Sequence, residues 1–193
     1  MPRAKGYDET EVLDRATRAF WARGYEATSM SDLVKATGLH RGSLYAAFDD
    51  KRGMFLESLR HFDKAYRADF FDSVAREHAG KDAVIAAFRG VGRQAAAGDT
   101  PGGCLLVNTT LELSPHDPEV RHFVDSALRE VEEFFFTQIE SAKRDGSMSG
   151  SVAPRQTAQA LLALFLGLRV LTRTGPNAAA AKAIVAQVET MLG

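Results

Sequence analysis

Apolar residues recur at every third or fourth position along most of this chain, the spacing that places them on one face of an α-helix. The clearest run is Phe55, Leu59, Phe62, Tyr66 and Phe70, with intervals of four, three, four and four residues. Glycine and proline separate such segments, and no stretch alternates apolar and polar residues over the length of a strand. The pattern predicts an all-α fold, with helices over about 10–23, 29–37, 41–48, 51–78, 82–97, 104–113, 118–145, 154–173 and 177–192.

The composition excludes several classes of protein. Hydrophobic residues make up 45% of the 193 and charged residues 25%, which is ordinary for a globular chain and excludes disorder over most of it. The single cysteine, Cys104, excludes an internal disulfide framework and a cysteine-rich zinc site. The longest apolar segment, 158–171, is too short to cross a bilayer, and no apolar stretch of signal-peptide length follows the basic N-terminus. We therefore expect a soluble, cytoplasmic protein with no membrane partner.

The sequence also lacks the motifs of common catalytic and cofactor sites. No phosphate-loop, His-Glu-x-x-His or Gly-x-Ser-x-Gly string is present, and the five histidines show no i,i+4 pair for a metal. The Gly90-Val91-Gly92 string has no strand before it, so it does not predict a dinucleotide site. We expect no enzyme, no catalytic residue, no metal site and no cofactor.

Residues 29–48 have the spacing of two short helices joined by a tight turn. Ser29 and Asp32 are spaced as a capping box at the start of the first helix. Gly38-Leu39-His40 then supplies the short, glycine-containing turn of a helix-turn-helix unit. The whole chain carries 24 basic and 25 acidic side chains, so no global basic field indicates a nucleic-acid partner. Residues 33–48, however, contain no acidic residue, which makes this unit locally basic.

The second helix of this unit has few apolar anchors. Leu44 and Phe48 are spaced to hold it against a core, which leaves His40, Arg41, Gly42, Ser43 and Ala47 for an outward face. Gly42 is unfavourable inside a helix, but it permits close approach of the backbone to a phosphate or base. A helical hairpin packed within a core has the same spacing, so spacing alone leaves both interpretations open.

A longer string of residues favours the DNA-binding interpretation. It comprises Gly24-Tyr25, Thr28-Ser29, Ala36-Thr37-Gly38, Gly42-Ser43-Leu44-Tyr45, Phe48 and Lys51, within the span 12–59. This string resembles the N-terminal motif of the tetracycline-repressor (TetR) family of transcriptional regulators. The resemblance implies about nine helices: a helix-turn-helix head over 1–50 and a ligand-binding and dimerisation body over 51–193, linked by the helix over about 51–78.

The resemblance also implies roles for individual residues. Thr28 and Ser29 match phosphate contacts at a helix N-terminus, where backbone N–H groups favour anions. Arg41, Gly42 and Ser43 match base- and phosphate-facing positions of the recognition helix. Tyr45 and Lys51 match phosphate contacts.

This sequence departs from the family pattern at three positions. His40 stands where the family often has a capping Ser or Thr, and Ala46 and Ala47 replace larger residues. The departures leave His40, Arg41 and Ser43 as the expected readers of base sequence. Arg3 and Lys5 have two interpretations, a basic arm on DNA or a solvated tail.

The predicted body has features of a dimer. The helix over 154–173 is apolar on most sides, and the last helix has an apolar stripe, so the segment 154–192 suits a self-complementary interface. An intramolecular core is the alternative. Together with the resemblance, this predicts a dimeric repressor that binds a palindromic operator in double-stranded DNA and is released by a small-molecule effector.

The effector pocket is predicted only loosely. Its expected lining is Phe88, Cys104, Leu105, Phe123 and Phe165, although Phe and Leu at helical spacing are more often plain core. Few ionisable groups occur in these stretches, so we expect an apolar or aromatic effector. Cys104 also begins a predicted helix, where a thiol is more reactive. It suggests an alternative, an oxidant or electrophile sensor; a small buried apolar residue is the plainer interpretation.

Overall fold

The computed structural model describes residues 7–98, 101–175 and 177–193, and within these ranges it contains helices and no strands. The predicted Arg3 and Lys5 arm lies outside the described residues. The helices are α1 (Glu9–Arg23), α2 (Met30–Thr37), α3 (Arg41–Phe48), α4 (Lys51–Phe62), α5 (Asp69–Glu77), α6 (Gly80–Ala97), α7 (Leu105–Glu112), α8 (Pro118–Arg144), α9 (Pro154–Leu171) and α10 (Ala178–Leu192). A π-helical segment (Asp63–Ala68) joins α4 to α5, and a 3₁₀ turn (Thr172–Thr174) follows α9. The all-α prediction is confirmed, with nine helices in the described ranges when α4, the π-helical segment and α5 are counted as one.

The link between head and body differs from a regular helix. The sequence predicts one α-helix over 51–78, whereas the structure inserts the π-helical segment Asp63–Ala68 into it. Such insertions are rare in proteins, and many of those that are known lie at functional sites. Gly80 does not end this helix: α5 ends at Glu77, and Gly80 is the first residue of α6.

One apolar core joins the head to the lower part of the body. Phe20 of α1, Leu33 of α2 and Leu44 of α3 are at most 1% exposed. They belong to the same buried cluster as Leu105 of α7 and Val120 of α8. The division of the chain at residue 50 therefore remains a prediction, because one core contains residues from both sides of it.

A second core fills the body. Helices α5, α6, α8, α9 and α10 contribute to it, and its largest members are aromatic. Phe88, Phe135 and Phe165 pack together with ring centroids 5.5–5.8 Å apart. No helix in the described ranges is long and apolar enough to span a bilayer.

Candidate nucleic-acid interface and internal cavity

Helix α2 begins with the predicted capping box. The Ser29 side chain accepts a hydrogen bond from the backbone N–H of Asp32 at 3.2 Å, and the Asp32 carboxylate accepts one from the backbone N–H of Ser29 at 3.0 Å. Hydrogen bonds from Ser29, and then the neighbouring Arg23, lower the pKa of Asp32 to about 2. The box therefore stays intact at physiological pH and fixes the entry of the chain into α2, with Ser29 exposed at the helix N-terminus.

Thr28 does not fit its predicted role. Its side chain is fully buried, and its hydroxyl donates a 2.6 Å hydrogen bond to the carbonyl of Gly24. A buried hydroxyl that already has an acceptor is not available to a phosphate. The prediction that this side chain contacts DNA is wrong for the structure described; instead, Thr28 closes the turn between α1 and α2.

Helix α3 presents a polar face and hides its apolar one, as the sequence predicts. Leu44 is 1% exposed and Phe48 is 9% exposed, whereas Arg41 and Gly42 are exposed and Ser43 is half-buried. His40 occupies the N-cap with no side-chain capping bond. The helix is therefore attached along one side, and its first turn is left free for a partner.

On this outward face, the side chains of Arg41 and Tyr45 contact each other. The Arg41 guanidinium donates a 3.2 Å hydrogen bond to the hydroxyl of Tyr45, one turn along the helix, and lies 5.5 Å from the centre of the Tyr45 ring. Within the described ranges, Arg41 forms no ion pair with a carboxylate, so its charge remains available to an external anion or base.

Lys51 lies beside the turn that precedes α2. Its ammonium is 4.2 Å from the centre of the Tyr25 ring and donates a 3.4 Å hydrogen bond to the carbonyl of Glu26. The structure thus brings Lys51, at the start of α4, close to the segment that leads to Ser29. These positions fit a phosphate-binding edge, although contacts of Ser29, His40, Arg41, Gly42, Ser43, Tyr45 and Lys51 with DNA remain predictions.

A substitution at Gly42 tests whether the backbone of α3 approaches DNA closely. A Cβ at this position would meet nothing within 4 Å, and the backbone there is ordinary helix. We expect Gly42→Ala to raise the free energy of unfolding by about 0.5–1 kcal/mol, because alanine favours the helix. Operator affinity should nevertheless fall by about tenfold or more, as expected for overpacking of a fitted interface. Chemical denaturation and a DNA titration on the same preparation measure both; unchanged affinity would remove Gly42 from the interface.

An internal cavity of about 40 Å³ lies where the head meets the body. Two of the predicted lining residues, Cys104 and Phe165, are in its wall. The other three are not: Phe88 is buried in the body core, Leu105 is buried in the core shared with the head, and Phe123 lines a shallow surface groove beside Leu56. Their part in an effector site remains a prediction, and Phe88 also lines a groove between α6 and α10.

The cavity wall includes residues that sequence reasoning missed. Trp21 of α1, Tyr66 and Arg67 of the π-helical segment, and Gln94 and Arg169 of the body all line it, with Phe62, Phe71, Leu106, Leu128, Val131 and Leu166. Two of these residues are arginines, so the wall of this cavity is not purely apolar. Burial lowers the pKa of the Arg169 guanidinium, an effect that the nearby Cys104 thiol opposes.

Polar contacts fasten the head to the body around this cavity. The Glu112 carboxylate of α7 accepts hydrogen bonds from the backbone N–H groups of Tyr25 at 2.9 Å and Glu26 at 2.7 Å. The Arg173 guanidinium, just after α9, donates to the carbonyls of Trp21 at 2.9 Å and Ala22 at 2.7 Å. We call these two sets of contacts the head–body latch. They hold the C-terminal end of α1 and the turn after it.

A second ion-paired contact lies nearby. Arg52 of α4 pairs with Asp117 at 2.9 Å and Glu119 at 2.8 Å, at the start of α8. The hydrogen bond that Asp117 accepts from Arg52 lowers the pKa of the Asp117 carboxyl. This contact fixes the start of the linking helix against the body.

Comparison with known proteins identifies the family. Residues 12–58 match the model for bacterial regulatory proteins of the tetR family, and residues 80–188 match the model for the tetracyclin repressor-like C-terminal domain. The chain belongs to the TetR family. Its head and its body thus match the two parts that the resemblance implied.

Individual relatives agree with this assignment. The uncharacterized HTH-type transcriptional regulator YezE of Bacillus subtilis is 29% identical over 150 residues, 78% of this chain and 77% of the relative. The HTH-type transcriptional repressor ComR of Escherichia coli is 34% identical over 125 residues, 64% of this chain and 60% of that repressor. The structure of a cysteine variant of the TetR-family regulator CifR, complexed with double-strand operator DNA, superimposes with a TM-score of 0.83 at 26% identity, covering 98% of this chain and 97% of that one. These relatives are transcriptional regulators rather than enzymes.

Proposed function

We propose that this TetR-family protein is a dimeric transcriptional repressor that binds a palindromic operator and leaves it when an effector occupies the internal cavity. The observation that carries the proposal is the geometry of α3, which hides Leu44 and Phe48 and exposes Arg41 and Tyr45. The ComR relative is described as a repressor, and the structure of the CifR relative is a complex with operator DNA, which supports the same role for this chain.

In the proposed complex, α3 lies in the major groove, which is wide enough for one helix. Arg41 at the start of α3 reads a guanine edge, with Ser43 and His40 beside it. Ser29, Tyr45 and Lys51 contact the flanking phosphates and set the register. Tyr45 is 37% exposed and touches Arg41, so the two side chains reach the DNA from one face of the helix.

The proposed dimer uses the segment 154–192. Val170 and Leu171 at the end of α9 and Met191 of α10 are large apolar side chains that are 37–49% exposed in the single chain. Pairing of α9 and α10 with their symmetry mates would cover them and place two heads about 34–36 Å apart, one turn of DNA. Light scattering of the purified protein tests this directly: a dimer mass supports the arrangement, and a monomer at micromolar concentration contradicts it.

We propose that the effector releases the protein from the operator by moving the head relative to the body, and that the head–body latch transmits this movement. Trp21 belongs to α1 of the head and also lines the cavity, so a ligand there touches the head directly. A ligand shifts an equilibrium only through its different affinity for the two states. Side chains displaced around Trp21 would favour a second orientation of the head, and DNA would weaken effector binding by the same factor.

The latch has a measurable contribution to stability. Glu112→Gln leaves one acceptor atom for two backbone N–H groups, so we expect the free energy of unfolding to fall by about 1–2 kcal/mol. Amide exchange at Tyr25 and Glu26 should accelerate relative to the rest of the head. Glu77→Gln, at the exposed end of α5, is the matched control and should change neither quantity. Equal exchange rates in the variant and the parent protein would show that Glu112 does not hold the head.

Selection of bound sequences from random DNA tests the proposed function as a whole. The expected product is a palindrome with two half-sites, bound more tightly than random DNA across a series of salt concentrations. Salt dependence matters because the phosphate contribution to affinity falls steeply as salt rises and carries no sequence information. Enrichment of no sequence over random DNA would contradict the proposal.

A thiol-based sensor is the second candidate, and a specific observation favours it. Cys104 is the N-cap of α7, is partly exposed and lines the cavity close to the cationic Arg169. A cationic neighbour and a helix N-terminus are the surroundings that promote thiolate chemistry. Alkylation of the thiol should abolish operator binding by the parent protein and leave Cys104→Ser unaffected. An equal response of both proteins would reject the sensor.

A further inference from the structure

The wall of the internal cavity holds a half-buried cation, Arg169, that has no carboxylate partner among the described residues. The Arg169 guanidinium donates a 2.9 Å hydrogen bond to the side-chain oxygen of Gln94. It also lies 5.3 Å from the centres of the Phe70 and Phe165 rings. No carboxylate among the described residues forms an ion pair with it. A guanidinium carries five N–H donors, so most of those of Arg169 have no acceptor among the described residues.

A second donor in the same wall has no acceptor at all. Trp21 is 2% exposed, and its indole N–H has no hydrogen-bond partner among the described residues. A buried donor that makes no hydrogen bond costs about 1–3 kcal/mol. Such a group in a cavity wall suggests an acceptor that is supplied from outside the chain.

The rest of the wall offers Arg169 no carboxylate, although the Cys104 thiol lies near it. The other arginine, Arg67, is held by Asp63 and by Glu130 at 2.5 Å. Neither of those acids lines the cavity, and neither does any other Asp or Glu of the described chain. The remaining lining is mostly aromatic and aliphatic. The cavity therefore combines an apolar surface with one guanidinium that has no carboxylate partner among the described residues, and with an indole N–H that has no acceptor.

We infer that the effector is an organic anion, a carboxylate on an apolar or aromatic body, whose oxygens accept hydrogen bonds from Arg169 and Trp21. This inference rests on the proposed function, in which the cavity is the effector site. The guanidinium fork matches a carboxylate in two-point geometry, and the aromatic wall suits the rest of the molecule. It refines the sequence-based expectation of an apolar effector by adding one negative charge.

The same anion would join the two parts of the molecule. Trp21 is on α1 of the head, whereas Arg169 is near the end of α9 in the body. A carboxylate that binds both would set the distance between these helices. Ligand pockets commonly enclose about 300–1,000 Å³, so this cavity must widen on binding, and the displacement would act on α1.

Trp21 also supplies the measurement, because it is the only tryptophan in the chain. Its fluorescence can be followed while benzoate, phenylacetate and octanoate are titrated against their neutral amides. We expect each carboxylate that binds to do so at least about tenfold more tightly than its amide. Arg169→Met should remove that preference, and Arg76→Met, on the exposed face of α5, should retain it. Arg169→Gln provides the same comparison if the Met variant does not fold.

Three results would overturn the inference: equal affinity for acids and amides, a preference that survives Arg169→Met, or no response to any carboxylate up to about 10 mM, a concentration that reveals even millimolar binding. Equal binding of acids and amides would leave the cavity as an effector site of another chemistry. Carboxylate binding that requires Arg169 but leaves operator affinity unchanged would support a carboxylate site at Arg169 and contradict the proposal that its occupation releases the operator.

Discussion

Arg41→Ala should lower affinity for the selected operator by about 10–100-fold, because a bidentate arginine–guanine contact contributes about 1–3 kcal/mol of discrimination. Arg41 is exposed at the first position of α3, and among the described residues its side chain contacts the hydroxyl and ring of Tyr45. Its removal breaks no ion pair within the described structure, so the fold should keep its stability. An anisotropy titration at fixed salt measures the affinity, and chemical denaturation checks the fold.

Two further variants separate base reading from charge. Arg41→Lys keeps the positive charge but loses the two-point fork, so we expect an intermediate affinity and relaxed preference at one base pair of each half-site. Arg129→Ala removes an exposed charge from α8 of the body and should bind operator as the parent protein does. If Arg41→Ala binds the selected operator as tightly as the parent protein does, Arg41 does not read the base sequence.

Gly53→Ala should destabilise the head by about 1–3 kcal/mol or more, because there is no space for the added methyl group. Operator binding should weaken as a result. A Cβ on Gly53 would lie 2.1 Å from the carbonyl oxygen of Phe48, which is backbone and not a movable side chain. The same tight turn uses the backbone N–H of Gly53 to satisfy the Asp50 cap at 2.7 Å, and Asp49 adopts a positive φ of 64°. The end of α3 must therefore shift for the chain to accept alanine.

Gly42→Ala is the matched control for this prediction. It adds the same methyl to α3, at a position with no neighbour within 4 Å, so it should stabilise the protein where Gly53→Ala destabilises it. Thermal melting and denaturant titration of both variants provide the comparison. Equal stability of Gly53→Ala and the parent protein would show that the junction of α3 and α4 is less constrained than the geometry indicates.

The parts of the fold that depend on local signals could be predicted from the sequence. The bounds of α3 agree with the expectation of residues 41–48, because Gly38, the Leu44–Phe48 spacing and the following aspartates all act within a few residues. The Ser29–Asp32 capping box was identified for the same reason. The π-helical segment was not, because the spacing of Phe62, Tyr66 and Phe70 fits an ordinary helix equally well.

The parts that depend on distant residues could not be predicted. The cavity unites Trp21, Cys104 and Arg169, which are separated by most of the chain and carry no common motif. The Glu112 contact with the turn after α1 spans 86 and 87 residues. The prediction for Thr28 was wrong for a different reason. Its hydroxyl donates a local hydrogen bond to the carbonyl of Gly24, which the position of Thr28 in the family motif does not reveal.

Methylation protection of the selected operator tests most directly whether α3 enters the major groove. Dimethyl sulfate modifies guanine at N7, an atom in the major groove that the proposed Arg41 contact would cover. The account predicts protected guanines in two clusters about 10–10.5 base pairs apart, and loss of protection at one guanine per half-site in Arg41→Ala. Unprotected guanine N7 atoms throughout a fully bound operator would contradict it.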